Sequence, residues 1–213
     1  TLENVTIGVR FHWERRQEQT FSGNLVFLGV GEGTLTAVNE LAIEEYLASV
    51  VPSEMSGEAP FEFLKAHAVA SRSWLIAMLQ RHQGRRGDED PASPVSRRDG
   101  EIVRWYDRQD HDRFDVCADD HCQRYQGITR LGDGRAAEAV RVTRGVLLIR
   151  EGEICDARYH KACGGMTDDY ATCWENKVVP YLSHVADAAA PIASVRTEAD
   201  AERWILSEPD VYC

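Results

Sequence analysis

The sequence predicts an α+β fold in which helices are inserted between small antiparallel sheets. Three observations carry this. Val5, Ile7, Val9 and Phe11 alternate with polar residues, the period-two pattern of a strand with one buried face. Ile43, Tyr46, Leu47 and Val50 then recur at helical spacing, as do Leu64, Ala68, Ser71 and Leu75. Near residue 150, apolar stretches flank a Glu-Gly pair and read as a hairpin.

Taken in order, the first strand is followed by two more, residues 24–30 and 34–38, separated by Gly31 and Gly33; together they form a small N-terminal sheet. Asn39 reads as the N-cap of the first helix, because its side chain can accept from an orphan helix N–H. Pro52 reads as the end of that helix, and residues 53–57 as a loop carrying Glu54. Pro60 is placed to open a second helix that runs to about His82, whose Ala and Ser residues predict close packing. Residues 84–100 are rich in Arg, Asp, Pro and Ser and read as a surface loop or insertion. A Trp/Tyr/His/Cys-rich stretch, 105–127, comes next. Residues 136–144 make a short helix with Gly145 as its C-cap, and 146–149 pairs with 154–159. A last helix, 197–206, opens with a Thr-x-x-Asp start signal. No repeat or low-complexity tract interrupts this order.

At 213 residues the chain is expected to be a single domain, one core with room for a smaller lobe. A hydrophobic content of 43%, 28% charge and five Trp exclude disorder. The net charge of -11 disfavours nucleic acid as a partner, since phosphate binding needs clustered Lys and Arg, although a local basic cleft remains compatible with it. No apolar run approaches the roughly 20 residues that span a bilayer. The chain begins at Thr1 rather than Met and stops at Cys213 directly after a helical stretch, so the native protein is expected to continue past 213. Among six Cys, an even count, disulfides and a metal site are both open readings.

Glu54 is the first candidate for chemistry. It follows Val50, Val51 and Pro52 and precedes Met55, and a carboxylate among apolar groups resists ionisation, so it can act as a general acid near neutral pH. The plainer reading is a helix cap or an ion pair with Lys65 or Arg72, since structural carboxylates are commoner than catalytic ones.

Three ordered blocks then carry a resemblance. The first holds Tyr46-Leu47, Glu54-Met55, Pro60, Leu64-Lys65-Ala66, Ala68-Val69-Ala70 and Arg72; the second runs from Asp115 to Tyr125 with Cys117, His121, Cys122 and Gln123; the third is Tyr159-His160-Lys161-Ala162-Cys163-Gly164-Gly165, with Pro180-Tyr181-Leu182 after it. In this order they resemble the signature of the stage II sporulation protein D family, the SpoIID/LytB domain, over most of the chain. The resemblance implies a glycan-binding cleft and lytic transglycosylase activity: cleavage of the bond from N-acetylmuramic acid to N-acetylglucosamine in denuded peptidoglycan strands, closing a 1,6-anhydro ring. The family's catalytic Glu falls on Glu54, which would serve as acid and then base, so no partner carboxylate is needed. An exported protein of the cell envelope is expected. The rival reading is a non-catalytic wall-binding module that enhances a cell-wall amidase.

Lys65, Arg72, Gln123, Tyr125 and His160 are the candidates for lining the cleft, with Lys65 and Arg72 suited to a muramyl carboxylate. Against each stands a structural ion pair or surface charge, and for Tyr125 a core aromatic. His67 departs from the family's usual Gln, and Cys163 from a small polar residue. His111, Cys117 and Cys122, with His121 beside Cys122, suit tetrahedral zinc. Some members of the resembled family carry zinc on a comparable set, and a structural ion is expected. A Cys117–Cys122 disulfide is the competing reading, reduced Cys a third, and Cys155, Cys163 and Cys173 leave room for another bridge. A zinc hydrolase fits less well, because catalytic zinc keeps an open position.

Overall fold

The computed structural model describes the chain except residues 10, 32, 85–94, 99–100, 105–110, 112, 119–120, 191, 193–194, 209 and 213. The fold is α+β, helices with small antiparallel sheets. The chain forms two compact units, residues 1–86 with 110–157, and residues 87–109 with 158–213.

In the first unit, β1 (Leu2–Ile7) pairs with β2 (Arg15–Gln19), and β3 (Asn24–Gly31) with β4 (Thr34–Glu40), both antiparallel. The N-terminal region is therefore two hairpins rather than one sheet. β2 escaped the sequence reading because Arg-Arg-Gln-Glu-Gln has no apolar alternation; its pairing with β1 makes it a strand. Two helices follow, α1 (Ile43–Glu54) and α2 (Phe61–Gly84), then a 3-10 turn (Gly127–Arg130) and α3 (Arg135–Val142). The short hairpin β7 (Ile149–Arg150) and β8 (Glu153–Ile154) closes the unit. Its turn residues Glu151 and Gly152 both have positive φ, 55° and 86°, as a type I′ turn requires.

Several boundaries differ from the sequence reading: β1 ends at Ile7, leaving Val9 and Phe11 exposed in the turn, and β8 stops at Ile154. Pro52 lies inside α1, because only one N–H is lost there while Met55 N–H still donates to Val51 O at 3.2 Å and completes the last turn. Asn39 does not cap α1; it belongs to β4, and Ala42 takes the cap position. The Asn39 side chain donates to Ser22 O at 2.8 Å and Asn24 O at 3.0 Å, tying the strand pair together.

The core of this unit is built by α1, α2 and α3. Tyr46, Leu47, Val50 and Val51 form the inner stripe of α1; Leu64, Ala68, Trp74, Leu75 and Met78 come from α2, and Ala136, Ala139 and Val140 from α3. Small residues at the contacts, such as Ala68 and Ser71 at 0% exposure, let the helices approach closely.

In the second unit, β5 (Val95–Arg98) pairs with β6 (Glu101–Arg104), so part of the expected 84–100 loop is strand; most of the remaining loop lies outside the described residues. The unit also holds α4 (Tyr170–Cys173) and α5 (Glu198–Ile205). α5 starts as its sequence predicts: Thr197 Oγ1 accepts from Asp200 N–H, and the Asp200 carboxylate accepts from Thr197 N–H at 2.9 Å, a complete capping box. Among the described residues, no helix is long and apolar enough to cross a membrane.

Candidate functional site

Glu54 is the last residue of α1 and continues its buried stripe, one turn beyond Val50. It is half-buried, and its Oε1 accepts the Arg124 backbone N–H at 2.7 Å. The segment that supplies this amide is docked along the helices at two further points: Gln126 N–H donates to Ser49 Oγ at 3.3 Å, and the Gln123 side chain to Ser71 O at 3.2 Å. The carboxylate is thus held by a backbone donor whose own position is fixed by α1 and α2. The sequence reading put Glu54 in a loop, whereas it ends α1, and the amide that holds it is not encoded in any side-chain identity.

The other expected glycan contacts take varied places. Arg72 is a correction. It is 1% exposed, and each of its five N–H donors has an acceptor: Glu44 Oε1 and Oε2 at 3.0 and 2.7 Å, Ala68 O at 3.5 Å, Val146 O at 3.3 Å and Val140 O at 3.1 Å. It is a strut between α1, α2 and α3, with no donor left for a substrate carboxylate. Lys65 pairs with Glu62 at 2.6 Å and lies over the Phe61 ring at 5.7 Å. Gln123 is buried at 1% exposure. Tyr125 is a core aromatic, stacked on Tyr46 with centroids 5.2 Å apart, and its hydroxyl donates to Asn39 Oδ1. Burial, with the Glu45 charge, pushes its phenol up to about 12, so it stays protonated. His160 belongs to the second unit and is exposed. His67 is buried beside Phe63, and burial lowers its pKa to about 4, which keeps it neutral at physiological pH.

The Cys/His stretch folds into a cluster. His111, Cys117, His121 and Cys122 each present a ligand atom, and the four lie within 4.8 Å of one another. Cys122 Sγ is 3.4 Å from both His111 Nε2 and His121 Nδ1, and Cys117 Sγ is 3.9 Å from His121 Nδ1. Tetrahedral zinc, with bonds near 2.0–2.3 Å, separates its ligand atoms by roughly 3.3–3.8 Å, so this donor set fits such an ion. His121, which the sequence pattern put beside the expected trio, presents the fourth candidate ligand atom. Cys117 and Cys122 are not bridged to each other, and Cys155, Cys163 and Cys173 form no disulfide among the described residues. Cys163 Sγ instead lies 3.2 Å from Asp187 Oδ2. Cys122 packs against the core, and Cys122-Gln123-Arg124 runs straight from the cluster to the amide that holds Glu54.

A cavity of about 930 Å³ also lies in the first unit, lined by Val5, Phe21, Val38, Leu79, Phe114 and Cys117 among others. Glu54 does not line it, so the cavity is distinct from the carboxylate's surroundings.

The family model for SpoIID, described as stage II sporulation protein, matches residues 31–149. These include Glu54, the Arg124 amide and the whole Cys/His cluster. The chain belongs to the SpoIID family. An uncharacterised protein of Brachyspira hyodysenteriae is 28% identical over 165 residues, covering 78% of this chain and 37% of its own length. Stage II sporulation protein D of Bacillus amyloliquefaciens is 26% identical over 168 residues, covering 79% of this chain and 45% of its own length. The chain thus spans less than half the length of these curated relatives.

Proposed function

We propose that this chain is the glycan-cleaving part of an exported bacterial lytic transglycosylase that acts on denuded peptidoglycan strands. SpoIID membership supports a cell-wall role. The observation that carries the finer reading is the placement of Glu54: a half-buried carboxyl at a helix end, oriented by the Arg124 amide. As the acid, Glu54 gives its proton to the glycosidic oxygen while the bond from C1 of N-acetylmuramic acid breaks. As the carboxylate it then takes the proton of the sugar's C6 hydroxyl, and O6 closes onto C1. Water does not enter, and Glu54 ends protonated as it began. One carboxyl group suffices, in contrast to hydrolytic glycosidases with their paired acids.

His111, Cys117, His121 and Cys122 are suited to hold a structural zinc ion. When bound, the ion would supply a fold-stabilising cross-link. Four protein ligands leave no open position for a water, which favours this over a zinc hydrolase.

The amidase-enhancer reading is separated by adding the purified chain to denuded glycan alone, then to intact wall with a cell-wall amidase. Soluble sugars from denuded glycan alone are the expected result. Release only when the amidase is present would assign the chain to enhancement and remove the cleavage role.

A further inference from the structure

The turn between β1 and β2 carries two aromatic residues that the core does not use. Phe11 is 47% exposed, and its ring stacks on Trp13 with centroids 5.6 Å apart and planes 14° from parallel. Trp13 packs closely against Gly8: a Cβ there would come 2.2 Å from the indole, and the Gly8 φ of +66° also favours glycine. The Arg124 guanidinium sits over the same indole at 4.3 Å. Arg124 is the residue whose backbone N–H holds Glu54, and among the described residues its guanidinium donates no hydrogen bond. An exposed aromatic ring and a guanidinium therefore meet at the residue whose backbone N–H holds the candidate acid. Both aromatic residues precede the family-matched stretch, which begins at residue 31.

We propose that Phe11, Trp13 and Arg124 form a sugar subsite beside Glu54, which takes a pyranose ring bearing a carboxylate substituent. The apolar C–H face of the ring lies on Phe11, as ring faces lie on aromatic platforms. The carboxylate is received by the planar guanidinium, which Trp13 holds in place without consuming its donors. In a peptidoglycan strand the acid-bearing sugar is the muramyl residue, the one whose C1 the proposed reaction attacks. Arg124 thereby takes the role that Arg72, with all five donors engaged in the core, cannot perform. This inference rests on the glycan-cleaving reading of Glu54.

The test measures binding separately from turnover. In a Glu54→Gln background, affinities are measured for denuded glycan oligomers and for the same oligomers with their carboxyl groups reduced to alcohols. Thermal midpoints and circular dichroism confirm folding. Phe11→Ala is expected to weaken both ligands roughly fivefold, and Phe11→Tyr to restore them. Arg124→Ala, which keeps the backbone N–H on position 54, is expected to weaken the carboxylated oligomer about tenfold or more while leaving the reduced one unchanged. Folded Phe11→Ala and Arg124→Ala proteins that bind both ligands as their parent does would overturn the subsite. An Arg124→Ala protein that loses both ligands equally would overturn the carboxylate assignment. A Glu54→Gln protein that still cleaves glycan removes the catalytic reading instead, and one that binds neither oligomer removes both.

Discussion

Arg72 and Glu54 are both ionisable groups on packed helices, yet their surroundings differ. Arg72 is enclosed, and its full complement of acceptors makes it part of the core. Removing it leaves the Glu44 carboxylate and three carbonyl oxygens without their donor. Arg72→Ala should therefore lower unfolding free energy by roughly 3 kcal/mol, towards the low end for a broken buried pair because Glu44 is 28% exposed and can rehydrate. Urea denaturation measures it, and a loss under about 1 kcal/mol would show that the network is not structural. His67 gives a pH-dependent counterpart. Its pKa is about 4 when folded against 6.5 when unfolded, so between these values the unfolded chain binds the extra proton. Stability should fall as pH drops from 6.5 towards 4, by roughly 3 kcal/mol in all, and level off below that window. His67→Gln removes this contribution, so the variant's stability profile should be flatter over the window; parallel profiles would contradict the burial argument.

At the scale of elements, the sequence was most legible where local chemistry alone decides. The Thr197 capping box, the Glu151-Gly152 turn and the apolar stripes of α1 and α2 are local patterns, and each is present. It was least legible where tertiary contacts decide. The polar strand β2 exists because β1 pairs with it, and Asn39 serves a strand and Tyr125 instead of a helix end. Gly127 shows the same dependence. Its φ is +59°, and a Cβ would stand 2.2 Å from Thr20 O, the carbonyl that accepts Ile128 N–H at 2.7 Å. Gly127→Ala should cost roughly 2 kcal/mol or more by driving the 3-10 turn away from β2, measurable as a lowered thermal midpoint. The Cys/His cluster adjoins the segment that holds Glu54, because Cys122 lies two residues before the amide on that carboxyl group. Purified protein should contain about one zinc per chain by elemental analysis, and chelation should lower its thermal midpoint by several degrees. A metal-free protein of unchanged midpoint would rule out the structural ion.

For the whole molecule, the three motif blocks single out Glu54 and the His111, Cys117 and Cys122 side chains from sequence alone. They could not tell a buried Arg72 from a cleft-facing one, since a cation in a helical motif looks the same in either place. The first unit contains the carboxyl, the amide that fixes it, the cluster and the Phe11–Trp13–Arg124 stack. A chain that belongs to the SpoIID family, yet covers 37% and 45% of its curated relatives, keeps these parts together in one compact unit. The central claim is that a single carboxyl group in this unit cleaves glycan without water. Mass spectrometry of the sugars released from denuded strands tests it most directly. Wild-type protein should release chains ending in 1,6-anhydro-N-acetylmuramic acid, each lighter by one water than a hydrolysis product, and folded Glu54→Gln should release none. Reducing ends that carry the full mass of a hydrolysis product, or undiminished release by Glu54→Gln, would contradict the account.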